Sequence, residues 1–301
     1  MKNYILMMRP RHWSKNIFVF AALLFGGKLI APADEVFLAI LSASAAFVCF
    51  SLASAAIYIF SDIIDRNKLT SPDNMISAGK VSLSASVLLA IVCTAVAMAG
   101  AFMLVNQLAV VLGAYIVLMG LYVILFRSTF ILDVIIVAIS FVLCAMAGAI
   151  VIGAFISKWL IICTFSLCLF LGFGKRRGQL ATLTVEQLAV SKELKNYTVE
   201  LLGHMLDITG ALTIICFLLY SLDDRTVEFF GTSNLIYTMP FVLYGVFRFS
   251  WLIQKGHYAD PLELLFADRP FQVAIGGWLF CSIFIIYAGR IDIDSSGILA
   301  Y

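Results

Sequence analysis

Residues 36–60, VFLAILSASAAFVCFSLASAAIYIF, run for 25 positions without a charged side chain. At about 1.5 Å per residue such a run makes a helix of ~37 Å, enough to cross the ~30 Å hydrocarbon core of a bilayer. Charge returns at once in Ser61-Asp62-Ile63-Ile64-Asp65-Arg66. Apolar blocks of similar size lie around it, near residues 16–31, 83–105, 108–126, 130–154, 158–173, 205–222, 234–253 and 271–289. Blocks this long satisfy their own backbone as helices, whereas barrel strands are half the length and alternate in polarity. The sequence therefore predicts an all-α, polytopic membrane protein of nine transmembrane helices, organised as one domain over residues 1–301.

Composition agrees with this reading. The 301 residues are 62% hydrophobic and 13% charged, with a mean hydropathy of +1.03, against roughly 45–50% apolar in soluble domains. A soluble enzyme, a nucleic-acid-binding protein and a disulfide-stapled secreted domain are excluded. The seven cysteines sit singly inside apolar blocks, without CxxC or Cys/His spacing, and read as small core residues. The first block follows Lys2, Arg9, Arg11 and Lys15 as a signal peptide would, but no cleavage signature comes after it, so it is read as a helix.

Placement of charge sets an orientation. With the N-terminus cytoplasmic, 16 of the 20 basic residues fall on the inner side, and only Lys28, Lys158, Arg225 and Arg290 fall outside. The positive-inside bias thus predicts N-in and C-out. The longer polar stretches, 61–82, 174–204 and 254–270, then face the cytoplasm, and any chemistry belongs there.

Several charges stand out. Asp62 and Asp65 are three apart at the end of the second span, on one helix face. They suit a Mg²⁺ ion held by carboxylates, water and phosphate oxygens, or equally a solvated helix end where Asp65 pairs with Arg66 or Lys68. Asp133 opens the fifth span with Arg127 as its nearest base, and it either faces a polar cavity or snorkels to the interface. Lys175-Arg176-Arg177, directly after Gly172-Phe173-Gly174, form either a topological anchor or a phosphate clamp. Lys15 and Asn16, in Arg9-Pro10-Arg11-His12-Trp13-Ser14-Lys15-Asn16, sit at the interface or turn into a cavity. Asp268-Arg269 before the last span are a local ion pair or a further phosphate contact.

Taken together, these segments resemble the UbiA superfamily of intramembrane prenyltransferases, and within it the decaprenyl-phosphate phosphoribosyltransferase branch. The resemblance runs nearly end to end. It is carried by Met8 to Asn16, by the stretch from Phe50 to Arg66, by Gly174 to Leu180 and by Asp268-Arg269-Pro270; the opening motif is similar to the RPxxWxKN start of that branch. It implies nine helices around a cytoplasm-facing cavity that opens sideways to lipid, in the inner membrane of a bacterium. The implied reaction moves a phosphoribosyl group from phosphoribosyl diphosphate to a polyprenyl phosphate, for cell-envelope polysaccharide, with Mg²⁺ as cofactor. Homo-oligomerisation is left open.

By the same resemblance Asp62 and Asp65 are metal-binding and catalytic, and Lys175 is catalytic. Lys15, Asn16, Asp133, Arg176, Asp268 and Arg269 bind substrate. Other positions depart from the pattern: Ser61 replaces an Asn, Leu69 the third Asp, Cys144 an Arg, Gln179 a Glu and Ala267 an Arg. The loop after the metal motif is shortened, and Asp73 is the one carboxylate in it available to stand in for the missing ligand. These losses point to altered substrate choice, or to a non-catalytic protein that binds a polyprenyl phosphate on the same scaffold.

Overall fold

The structure, a computed structural model, describes residues 2–27, 32–67, 75–154, 157–184, 194–256, 258 and 261–296. Leu69 and Asp73 lie outside the described residues. All regular elements among the described residues are helical. Eight helices are long and apolar enough to cross a membrane, and the protein is an integral membrane protein. Large apolar side chains such as Met103, Val110, Val273 and Phe280 point outward, where lipid rather than water is their natural surrounding.

The helices gather into two compact units, one of the described residues up to 154 and one from 157 onward. The first unit starts with α1 (Lys2–Met7) and a 3₁₀ stretch, Pro10–Phe20, that runs directly into α2 (Ala21–Phe25). A 3₁₀ helix rises about 2.0 Å per residue, so these 16 residues cover about 30 Å, which a regular α-helix would need ~20 residues to do. The first apolar block is thus a thinner, stretched element instead of the regular helix expected over 16–31. Long 3₁₀ runs are uncommon, and this one has a close neighbour. Gly148 of α6 (Leu132–Val151) lies so near that a Cβ there would overlap the Val19 carbonyl oxygen.

The rest of the unit comprises α3 (Ala33–Ile64), α4 (Leu83–Leu104) and α5 (Asn106–Leu121), the last continued by one π turn, Tyr122–Phe126. At 32 residues α3 is ~48 Å long. It is several turns longer than the hydrocarbon core requires, and Asp62 lies in its last turn. The core joins Val19 to Ala46, Cys49, Phe50 and Ala53 of α3, Ala97 and Ala101 of α4, Leu108, Leu112 and Tyr115 of α5, and Cys144 and Ala147 of α6. Small residues dominate this seam, because without a hydrophobic drive in lipid, helices associate through close packing.

The second unit holds α7 (Lys158–Thr182), α8 (Val199–Leu222), α9 (Asp224–Phe230), α10 (Met239–Gln254), α11 (Pro261–Ala267) and α12 (Arg269–Ser296). Phe170, Leu206, Val246, Phe249, Leu252, Ile253, Leu264 and Phe271 form its core. The sixth span does not stop at residue 173. Helix α7 continues to Thr182, so Lys175, Arg176 and Arg177 ride on a helix rather than in a loop.

Candidate active site

In the first unit, polar residues on α3 recur at 51, 54, 58 and 62 and at the C-cap, 65, spacings of three and four that make one stripe. The 3₁₀ stretch answers it with Arg9, His12, Lys15 and Asn16. At the deep end Asn16 is buried, with its Nδ2 donating to Ser51 Oγ at 3.2 Å and Ser54 Oγ at 3.3 Å. Ser54 Oγ lies 2.8 Å from the Tyr115 hydroxyl, and the Cys144 thiol approaches Asn16 Oδ1 at 3.9 Å. Higher up, Tyr58 is ringed by cations and an imidazole: Lys15 Nζ lies 3.5 Å from its hydroxyl, His12 stacks at 5.4 Å, and the Arg9 guanidinium sits 5.6 Å from the ring centre.

At the outer end Asp62 and Asp65 each face an arginine brought from another part of the chain. Arg9 Nη2 donates to Asp62 Oδ1 at 2.8 Å, and Arg127 Nη1 reaches Asp65 and also Ser61 Oγ, the latter at 3.1 Å. The solvated-end alternative does not describe Asp62, which is 5% exposed. Arg9 attains its pose from a left-handed backbone (φ 50°, ψ 59°) between α1 and Pro10, pinned by Trp13 Nε1 donating to the Met8 carbonyl at 3.1 Å. A non-glycine residue in that region costs ~1 kcal/mol. Arg127 follows the π turn that ends α5, a local feature frequent at functional sites.

Asp133 is buried in the first turn of α6, where the partial positive charge of the helix start favours a carboxylate. The residue two before it, Ile131, has φ 67°, a strained value for a β-branched side chain and the second such outlier near this site. Burial removes the interface-snorkelling reading of Asp133.

In the second unit, Arg176 is buried and donates to Gln179 Oε1 at 3.1 Å, while Arg177 ties α7 to α8 through the Val199 carbonyl at 3.0 Å. Lys175, one residue before them, is half-buried. Asp268 is engaged by Arg248, through Nε at 3.1 Å and Nη2 at 2.7 Å, and it also caps α12 by accepting from the Phe271 amide at 2.9 Å. That pairing holds the Asp268 carboxyl below the usual carboxylate range. Arg269 is exposed and lines a groove of about 540 Å³ with Phe241, Tyr244, Pro270 and Val273.

Sequence reasoning thus found the two carboxylates but passed over Arg127 as a partner of Asp65, Arg248 as the partner of Asp268, and the Ser51-Ser54-Tyr58 stripe. The stripe's helical spacing was a readable signal; the two arginine pairings had none. Asp62 and Asp65 are two hard oxygen ligands on one face, a donor set that suits Mg²⁺ completed by water and phosphate. No group of three or more metal-ligating side chains occurs among the described residues.

No family model matches the sequence. Decaprenyl-phosphate phosphoribosyltransferase of Mycobacterium tuberculosis is 28% identical over 280 residues, 90% of each chain. The protein of that name from Corynebacterium glutamicum is 27% identical over 292 residues, 94% of this chain and 86% of the other. Among solved structures, a UbiA homolog from Archaeoglobus fulgidus bound to DMAPP and Mg²⁺ superposes with a TM-score of 0.68 at 18% identity, over 95% of this chain and 99% of that one. A digeranylgeranylglyceryl phosphate synthase gives a TM-score of 0.61 at 13% identity, covering 96% of each. The chain has the fold of the UbiA intramembrane prenyltransferases and is related along nearly its whole length to the decaprenyl-phosphate phosphoribosyltransferases.

Proposed function

We propose that this protein is a membrane transferase that moves a 5-phosphoribosyl group from phosphoribosyl diphosphate to a polyprenyl phosphate, acting as one UbiA-like domain with its N-terminus in the cytoplasm of a bacterium. The observation that carries the proposal is the placement of Asp62 in the last turn of α3 and Asp65 at its C-cap, with Arg9, Arg127 and Lys15 in the same unit. Carboxylates alone would repel a diphosphate; carboxylates interleaved with cations are what a metal-diphosphate needs. The names of the relatives support the choice of donor and acceptor, and the positive-inside bias supports the orientation.

In this reaction the anomeric C–O bond to the diphosphate breaks, and a new C–O bond forms to an oxygen of the lipid phosphate. The leaving group is inorganic diphosphate. The acceptor is ionised at neutral pH, so no general base is required. Asp62 and Asp65 would hold a divalent cation, which would supply charge stabilisation for the departing diphosphate. Arg9, Arg127 and Lys15 offer it charge-assisted hydrogen bonds, the arginines as forks and the lysine as a point charge. Asp133, buried and acceptor-only when ionised, orients the donor. Lys175 and Arg176 on α7 are cations of the kind that bind phosphate.

A second reading keeps the fold and changes the substrate. It is favoured by Cys144, which belongs to a neutral, closed polar cluster where the resemblance expects an arginine. One experiment separates the two: purified protein with Mg²⁺, a long polyprenyl phosphate and labelled phosphoribosyl diphosphate. Labelled lipid is expected, with Lys175→Ala losing far more of it than exposed Lys195→Ala. If none forms while the protein still binds polyprenyl phosphate, the repurposed scaffold is the better reading.

A further inference from the structure

Both proposed metal ligands are held by arginines rather than left open to solvent. Arg9 engages Asp62 at 2.8 Å from the elbow before the 3₁₀ stretch, and Arg127 engages Asp65 and Ser61 from the elbow after α5. Neither arginine belongs to α3, and each stands on a segment with its own special backbone, a left-handed residue in one case and a π turn in the other. Their side chains remain 29% and 39% exposed, while the carboxylates they cover are 7% and 15% exposed. In each pair the arginine is the more exposed partner and the carboxylate the more buried one. A cation reaching the carboxylates must therefore compete with guanidinium groups already there.

We infer that Arg9 and Arg127 are exchangeable counter-ions, which hold Asp62 and Asp65 in the resting protein and move onto the diphosphate when metal takes the carboxylates. The inference rests on the proposed metal-diphosphate reading of this site and adds to it an order: metal and diphosphate bind together, because each frees the partner the other needs. Bare metal would leave two guanidinium groups displaced, and bare diphosphate would meet two carboxylates. Coupling of this kind is reciprocal, so the factor by which diphosphate tightens metal is the factor by which metal tightens diphosphate. The arginines would be binding residues for the diphosphate and gatekeepers for the metal. Ser61 fits the same role, since its hydroxyl accepts from Arg127 beside Asp65 and steadies the resting pose.

The test uses the full chain in detergent, with Mn²⁺ as a spectroscopic substitute for Mg²⁺, inorganic pyrophosphate as the anion, and no lipid acceptor. Protein-bound Mn²⁺ is read by electron paramagnetic resonance. The wild type should bind Mn²⁺ weakly alone, and pyrophosphate should tighten it on the order of tenfold or more. Arg9→Gln and Arg127→Gln should shift in two opposite directions: tighter Mn²⁺ without pyrophosphate, and weaker pyrophosphate at saturating Mn²⁺. A purely structural ion pair predicts no loss of pyrophosphate binding, so variants that retain wild-type pyrophosphate affinity would overturn the inference. So would a wild type whose Mn²⁺ affinity ignores pyrophosphate. If Arg9→Gln does not yield monodisperse protein, the more exposed Arg127→Gln decides alone. Because no transfer is measured, an inactive protein that shows the two opposite shifts would keep this inference while the phosphoribosyl reading fell.

Discussion

Arg248 grips Asp268 with two parallel hydrogen bonds, Nε to Oδ1 at 3.1 Å and Nη2 to Oδ2 at 2.7 Å, joining α10 to the residue that caps α12. The same guanidinium lies 4.4 Å from the centre of the Trp251 ring, which Lys255 covers at 3.8 Å. Asp268 thereby helps to hold the last helix in place. Its carboxyl titrates below the ordinary value because the Arg248 hydrogen bonds favour the charged form. A carboxyl depressed in the folded state contributes stability that is fully present above its unfolded pKa of ~3.9 and lost as pH falls through the folded value. Wild type should therefore melt a few degrees above Asp268→Asn near neutral pH, and the gap should close only in acid below the ordinary carboxylate range. A gap that is constant with pH would exclude this linkage.

Asp62 and Asp65 look equivalent in sequence and are not equivalent in the structure. Asp62 is 7% exposed at its side chain and Asp65 15%, and their arginines differ in the same direction. Under the proposed function either Ala variant abolishes turnover. Asp62→Ala should in addition destabilise by ~1–3 kcal/mol, since it strands Arg9 in a partly buried position, and Asp65→Ala by less. Thermal melts of the two variants in detergent check the ranking, and equal melts would contradict it.

How much of this was legible in the sequence differs from residue to residue. The uninterrupted run 36–60 fixed α3 as a spanning helix, because hydropathy and length alone decide that question in a bilayer. The first block hid its geometry. Nothing in Ile17-Phe18-Val19-Phe20 announces a 3₁₀ helix, and the close approach of its Val19 backbone to Gly148, far along the chain, is equally invisible locally. Asp62 and Asp65 were visible as an i, i+3 pair. Their arginines were not, since a contact across 53 or 62 residues depends on how the elbows at Arg9 and Arg127 fold. Adjacency in the sequence pairs Asp268 with Arg269, whereas helix packing supplies Arg248 from the preceding span.

Gly148 gives the clearest packing prediction. Its missing side chain is what the Val19 carbonyl occupies, whereas Gly113 and Gly120 of α5 face open space. Gly148→Ala should cost ~1–3 kcal/mol by forcing the 3₁₀ stretch away from α6. Gly113→Ala should be neutral or slightly stabilising, as alanine is the better helix former. Comparing the two melting temperatures tests this directly, and a neutral Gly148→Ala would mean that the close approach is not required.

Cys144 offers a final test, one that bears on why the site departs from the pattern it resembles. The side chain is 1% exposed, and its thiol points at Asn16 within a cluster whose other members are Ser51, Ser54 and Tyr115. These hydrogen-bond partners are all neutral. An arginine at this position would bring a full charge and a long stem into a seam built from alanine and serine, with no carboxylate in the cluster to meet it. Restoring the expected arginine is therefore not a simple repair. Cys144→Arg should lower stability by several kcal/mol, the order expected for an uncompensated buried charge, and the protein should express poorly or melt early. Cys144→Ser keeps the volume and the approach to Asn16 and should melt within a few degrees of wild type. If Cys144→Arg instead folds as well as wild type, the seam around Asn16 must open to admit it, and the cluster would then be a ligand cavity in a closed pose.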